Sequence, residues 1–238
     1  MRLFILLIGL GLFQSLSAQR TVDVTNGDFR LNGSSFYTVG GTPFVNEKYV
    51  KLVEGTPYFS DEWLKGIVIT SNGTEYKDIS LKLNLHSNEV LYKNDKDEEM
   101  IATTPIKEVV LTDAEGNNYR FVHSSTLVQQ EANPLKTGWY LWLCSGTAGL
   151  YKYYSKLMSE STPYGSATTE KKIRTKEKYL VSYNNAFIAL PKLKDIPNVL
   201  ANKKTELQEY LKKEEKTVNA EDKFLAIIEY YNSLFAEK

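Results

Sequence analysis

Residues 64–86, LKGIVITSNGTEYKDISLKLNLH, read as a β-hairpin. Leu64 to Thr70 is β-branched and apolar, and Ser71-Asn72-Gly73 then turns the chain, because Asn-Gly takes up positive φ at little cost. On the return, which runs through Tyr76 to Leu85, Ile79, Leu81, Leu83 and Leu85 alternate with Ser80, Lys82, Asn84 and His86. Period two over eight residues predicts a strand with one buried face and one wet face.

The same pattern continues outward. Val90 to Tyr92 and Met100 to Thr103 flank an acidic turn, Asn94 to Glu99. Val109 to Leu111 and Tyr119 to Val122 flank Asp113 to Asn117. Trp139 to Cys144 is apolar on both parities, which predicts a strand covered on both faces. Leu150 to Met158 and Tyr179 to Leu190 supply further strands, the latter bent at Asn184-Asn185. On the N-terminal side, residues 19–57 are irregular, with Phe44 to Val53 the first piece able to pair.

After Pro191 the period changes to about 3.6. Leu207, Tyr210 and Leu211 make one short apolar stripe; Phe224, Ile227, Ile228, Tyr231, Leu234 and Phe235 make a longer one. Asn219 is a natural N-cap, and Pro197 interrupts a weaker helical piece from Leu193 to Leu200. Helices this short need a surface to dock on. The expected fold is α+β: an antiparallel, curved β-meander or partial barrel over 19–190, then a C-terminal cluster of short helices over 191–238 packed on the sheet. Helices after the strands rather than between them argue against a doubly wound parallel sheet.

Residues 1–18 have the form of a secretory signal peptide. Arg2 supplies the positive start, Leu3 to Phe13 the apolar run, and Gln14 to Ala18 a small, polar cleavage region. Cleavage is expected after Ala18, or after Ser17, and no cysteine near the junction offers a lipid-anchor acceptor. No second long apolar segment follows, so the exported protein is expected to be soluble, whether periplasmic, outer-membrane-associated or secreted. The whole chain of 238 residues carries 29 basic and 29 acidic side chains, and losing Arg2 leaves a net charge of −1. A near-neutral exported chain is a poor nucleic-acid binder. Cys144 is the sole cysteine, so no internal disulfide staples the fold.

Several groups invite a chemical reading. Trp139, Tyr140, Trp142, Tyr151, Tyr153 and Tyr154 crowd two neighbouring predicted strands. Aromatic faces stack on sugars and fill lipid pockets, and at strand spacing they also make core and cross-strand pairs. Lys172, Arg174, Lys176 and Lys178 share one parity, a basic stripe suited to phosphates or acidic sugars, or to guarding an exposed sheet edge. His86 and His123 read as exposed strand residues without metal-ligand spacing. Cys144-Ser145-Gly146 lacks the frame of a nucleophile elbow and reads as a strand end turning at Gly146 to Gly149. The Asn94 to Glu99 oxygens can suit a hard cation, but Lys96 sits among them, and a solvated turn is the simpler reading. Asn32-Gly33-Ser34 and Asn72-Gly73-Thr74 fit an N-glycosylation pattern and read as turns. No cofactor or metal is expected.

The segment GTPYFSDEWLKGIV, residues 55–68, followed by the Asn72-Gly73 turn and LKLNL at 81–85, resembles exported proteins of Bacteroidota in which an aromatic, an acidic pair and a tryptophan precede a G-x-V strand. The tail, Lys203 to Lys213 and IIEYYN at 227–232, is similar to the helical ends of the same proteins. The resemblance spans most of residues 55–235 and implies envelope export and a β-then-α layout. It carries no catalytic residue. The expected function is therefore non-catalytic binding of an apolar, glycan or lipid ligand. A structural or protein-partner role in the envelope is the alternative, and an envelope hydrolase a third.

Overall fold

A computed structural model describes residues 41–43, 50–127, 135–213 and 219–235. The signal segment, residues 19–40 with the Asn32 turn, and residues 44–49 of the expected Phe44 to Val53 piece lie outside them. Twelve strands form one sheet: β1 (Gly41–Pro43), β2 (Val50–Glu54), β3 (Leu64–Thr70), β4 (Glu75–Asn84), β5 (Glu89–Lys93), β6 (Glu99–Ala102), β7 (Ile106–Thr112), β8 (Asn118–His123), β9 (Trp139–Cys144), β10 (Gly149–Ser161), β11 (Thr169–Tyr183) and β12 (Ala186–Leu190). Their order is β1-β6-β5-β4-β3-β7-β8-β9-β10-β11-β12, and β2 lies parallel to β11 while every other pairing is antiparallel. The fold is the expected α+β: a curved meander, then short helices.

The sheet rolls without closing its ladder. Trp139 on β9 donates its indole N–H to the Asn88 carbonyl beside β5, at 3.1 Å. Those strands are five ladder steps apart, about 24 Å on a flat sheet at the usual strand spacing. Phe59 tightens the roll. Its backbone N–H reaches the Leu83 carbonyl of β4, while its ring meets Phe121 of β8 at 4.9 Å and Tyr154 of β10 at 5.9 Å. The hydrophobic run 79–85 lines the inside, with Ile79, Leu81 and Leu83 almost fully buried. Tyr76 is buried beside them although it falls out of their alternation. A bulge resets the parity: the β3–β4 register shifts there, and Asp78 sits at φ 58°. Gly66 is needed at this wall, because a Cβ there would lie 2.7 Å from the Leu81 side chain and 2.5 Å from the Val110 carbonyl. Asn84, assigned to the wet face by its parity, is 9% exposed. Its carbonyl oxygen accepts the N–H groups of His86 and Ser87, which caps the turn into β5.

The helical layer covers the same face further along, over β9–β12. A 3-10 turn (Leu193–Asp195) leads into α1 (Ile196–Val199), and then come α2 (Lys204–Lys213) and α3 (Ala220–Ser233). Pro197 does not interrupt a longer helix, as its position suggested; it sits in the first turn of α1, where its missing N–H costs nothing. Asn219 caps α3 by accepting the Asp222 N–H at 2.9 Å. Between helices and sheet, Leu150, Val181, Ile196, Leu200, Leu207, Ile227, Ile228 and Tyr231 have no exposed surface, and Tyr179 stacks on Phe224 at 4.3 Å. Side chains fill this interface.

One ladder row joins the two cores: Tyr76, Val68, Val109, Phe121, Leu141, Lys152, Tyr179 and Leu190, paired strand by strand from β4 to β12. All are buried, and Lys152 is the one charge among them. Its ammonium meets Glu221 of α3 at 2.7 Å and Glu177 of β11 at 2.9 Å. Burial alone would lower its pKa; the two carboxylates override that and hold it above the ordinary lysine value.

Candidate functional site

β9 is covered on both sides, as its two apolar parities predicted, and this divides the six aromatic candidates. Trp139 and Tyr154 do not join the others. They face the inner core, Trp139 at 3% exposure and Tyr154 against Phe59. Alternation along a strand sends neighbours to opposite faces, so adjacency in sequence overstated the cluster. Tyr140, Trp142, Tyr151 and Tyr153 share the outer face, opposite the helices. There Tyr140 and Tyr153 lie 4.9 Å apart, Trp142 stacks with Tyr151 at 6.1 Å, and Tyr151 meets the edge of Phe187 at 5.2 Å. The Arg120 guanidinium sits 4.0 Å over the Trp142 ring and is held by Glu108 through bonds of 2.6 and 2.9 Å.

Register adds the basic stripe to this face. Tyr153 pairs with Tyr140 on one side and with Lys178 on the other. Lys176, Arg174 and Lys172 continue from Lys178 along β11, opposite Ser155, Leu157 and Ser159 of β10. On its second edge β11 is paired by β2 at Thr169–Lys172 and by β12 at Tyr179–Tyr183. Residues 174–178 between them are exposed and have no second strand among the described residues. The stripe therefore runs along an open edge, the setting in which lysines discourage edge-to-edge pairing.

A cleft of about 210 Å³ opens where the two features meet, lined by Leu135, Lys136, Tyr140, Tyr153, Lys178, Leu180, Phe187 and Ala189. Tyr140, 2% exposed, is its floor. The hydroxyl donates to the Lys136 carbonyl at 3.0 Å, and burial, with Tyr153 alongside, pushes its pKa up to about 12. Tyr153 is half-buried and presents its ring to the opening. Lys178 and Lys136 have exposed side chains with no ion-pair partner among the described residues. The cleft thus combines flat apolar walls with two available cations. Leu135, Lys136, Leu180, Phe187 and Ala189 are not among the residues the sequence singles out, although Phe187 and Ala189 share a parity across the Asn184-Asn185 hairpin from Leu180.

A second cleft, about 270 Å³, lies at the seam of the roll and is lined by Asn88, Glu89, Thr104, His123, Ser125 and Trp139 among others. His123 is half-buried here, against the expectation of an exposed ring. Its parity with Phe121 on β8 was the available signal. The imidazole packs edge-on against Trp139, and Nδ1 accepts the Ser125 N–H at 3.3 Å and lies 2.8 Å from the Ser125 hydroxyl. Since the backbone N–H can only donate, Nδ1 is unprotonated and the ring proton sits on Nε2. This is a cap on the 3-10 turn Ser124–Thr126. His86 is exposed, with Nδ1 3.2 Å from the Lys156 carbonyl.

Burial holds the His123 imidazole below its ordinary value. The unfolded chain therefore takes up a proton that the folded chain resists. The stability contributed by the neutral ring is complete above about pH 6.5 and is lost as pH falls through the lower folded value. His123→Gln is expected to shrink the drop in melting temperature between pH 7.5 and 5.5. An unchanged drop would place the acid sensitivity elsewhere.

The other candidates are built into turns. Cys144 is half-buried, and burial pushes its thiol up. The bend at Gly146 is held by Asn232 of α3, whose amide accepts the Ala148 N–H at 2.8 Å and donates to the Ala148 carbonyl at 2.9 Å. Asn94 turns its carbonyl oxygen onto the N–H groups of Lys96 and Glu98, and Asp97 pairs with Lys93 at 2.8 Å. No helix among the described residues is long and apolar enough to cross a membrane. The chain matches no known protein family, no curated protein and no solved structure, so the site is read from its own geometry.

Proposed function

We propose that this chain is an exported protein of the cell envelope that binds, without catalysis, an acidic glycan at the outer-face cleft. The observation that carries this reading is the register that sets Tyr140, Tyr153 and Lys178 in one row around the opening. A sugar ring offers a flat C–H face for Tyr153, and a uronic or phosphorylated sugar offers an anion for Lys178 and Lys136. The volume is below the roughly 300–1,000 Å³ of pockets for drug-sized ligands, which suits one ring of a chain rather than an enclosed lipid. The packed helix interface also favours an open surface site over an apolar ligand held beneath the helices.

Calorimetric titration with neutral and uronate oligosaccharides tests this. Uronate chains are expected to bind, with Tyr153→Ala weakening them about tenfold, in line with roughly 1–3 kcal/mol for a lost stacking platform. Lys178→Gln is expected to erase the preference for acidic over neutral sugars. Binding of fatty acids but of no oligosaccharide would replace the glycan reading with an amphiphile one. Silence toward both would favour a protein partner.

A further inference from the structure

We propose that the far half of the β10–β11 hairpin is an arm that docks this protein onto an anionic lipid surface. This goes beyond the cleft and does not depend on what the cleft holds. β10 and β11 remain paired out to Ser161 and Glu170, well past the end of β9 pairing at Tyr153. The arm is thus a two-stranded ribbon edged near its end by the short strand β2. Its inner face is covered, with Ile173 4% exposed and the Lys156 carbonyl 3.2 Å from His86 Nδ1, while Leu157, Ser159, Lys172, Arg174 and Lys176 on its outer face are exposed. At its tip Tyr164 is fully exposed, at 109% of its reference area. Midway, Leu157 is 46% exposed on the outer face, directly across from Arg174. Leu157 and Tyr164 are thus left in water while the ribbon's other face buries Ile173, and what sets them apart from ordinary exposed apolar residues is the charge on the same arm.

The charges around those two residues point to the partner. Lys171 is met by Glu160 at 3.4 Å and Lys172 by Glu54 at 3.7 Å. Arg174, Lys176 and Lys178 have no ion-pair partner among the described residues and share the face of Leu157, Arg174 directly across from it, Lys176 next along and Lys178 at the cleft end. The excess is local, since the chain as a whole balances 29 basic against 29 acidic residues. A face carrying unpaired cations around an aliphatic side chain, with a tyrosine at the tip, matches the layered chemistry of a bilayer interface. Anionic headgroups lie outermost, and the zone where tyrosine settles lies just beneath. Lysine and arginine spread at every second position suit diffuse surface charge better than a discrete carboxylate. Anchoring of this kind is reversible and needs both signals together.

Co-sedimentation with vesicles tests the arm, using the exported form that begins at Gln19. Vesicles of phosphatidylcholine with one-fifth phosphatidylglycerol are expected to pull the protein down at low salt, and pure phosphatidylcholine vesicles are not. The double variant Arg174→Glu/Lys176→Glu should weaken partitioning more than tenfold, at about fivefold for each cation removed. Tyr164→Ala should weaken it about threefold with an unchanged melting temperature, because the side chain touches nothing it could destabilise. Equal binding to both vesicle types, or no loss in either variant, would overturn the proposal. So would a protein that crosslinks to the arm in cells while anionic vesicles leave the chain in the supernatant.

Discussion

Lys152→Ala is expected to lower the unfolding free energy by about 3 kcal/mol, and Lys152→Met by only about 1 kcal/mol. Lys152 stands in the apolar row between the two cores with its side chain 8% exposed. Its stem completes the packing from Leu141 to Tyr179, and its ammonium ties α3 to β11. Alanine removes three methylenes of buried stem, roughly 0.8 kcal/mol each, together with the charge. It also leaves Glu221 and Glu177 facing one another. Both carboxylates are about a third or more exposed, so water tempers their isolation, and the loss falls at the low end of what breaking a buried pair costs. Methionine leaves the same two carboxylates without their cation, which water tempers equally, but keeps the packed stem, so its loss is smaller by the methylene contribution. Chemical denaturation of the three proteins checks this. A methionine variant as weak as the alanine one would mean that the charge itself, rather than the filled joint, holds the cores together.

Asn232→Ala is expected to cost about 2–4 kcal/mol, a large effect for a side chain near a helix C-terminus. The amide does the work of a neighbouring strand for the Gly146 bend, accepting from the Ala148 N–H and donating to its carbonyl. Ala148 has no exposed surface, so alanine at 232 strands two buried backbone groups, each costing roughly 1–3 kcal/mol. The site is closely fitted: a Cβ on Gly146, which sits at φ 149°, would lie 2.6 Å from the Asn232 amide. Asn232→Asp should fall between, because a carboxylate still accepts the Ala148 N–H but faces the carbonyl oxygen without a proton to give. Melting temperatures within a degree of the parent for both variants would show that the bend is solvated instead.

These two residues also show where a linear reading stops. Most strands and their turns were legible because period two and Asn-Gly chemistry act locally, as in Leu64–Thr70 and Trp139–Cys144. So was the Asn219 cap. Lys152 and Asn232 were invisible as structural residues, since their partners lie 69 and 84 positions away. The bulge at Asp78 was hidden for a different reason: it interrupts the alternation it preserves in space. On the outer face, Tyr140, Trp142, Tyr151 and Tyr153 were legible as a group, but the meeting of Tyr140 and Tyr153 with Lys178 at the cleft depended on a cross-strand register that no local pattern encodes. The roll of the sheet, which buries Trp139 and half-buries His123, depended on contacts between β5 and β9.

The parity shared by Tyr153 and the lysines has a geometric corollary. The stripe runs along β11, which also forms one wall of the cleft, and the two open toward the same side. Whatever the stripe lies against therefore sets the direction in which the cleft looks, much as a bracket sets the aim of a lens. The coupling is all-or-none. One residue inserted into β11 between Arg174 and Lys178 would turn Arg174 and Lys172 to the opposite side, leaving the cleft whole but pointing away from the surface that holds it.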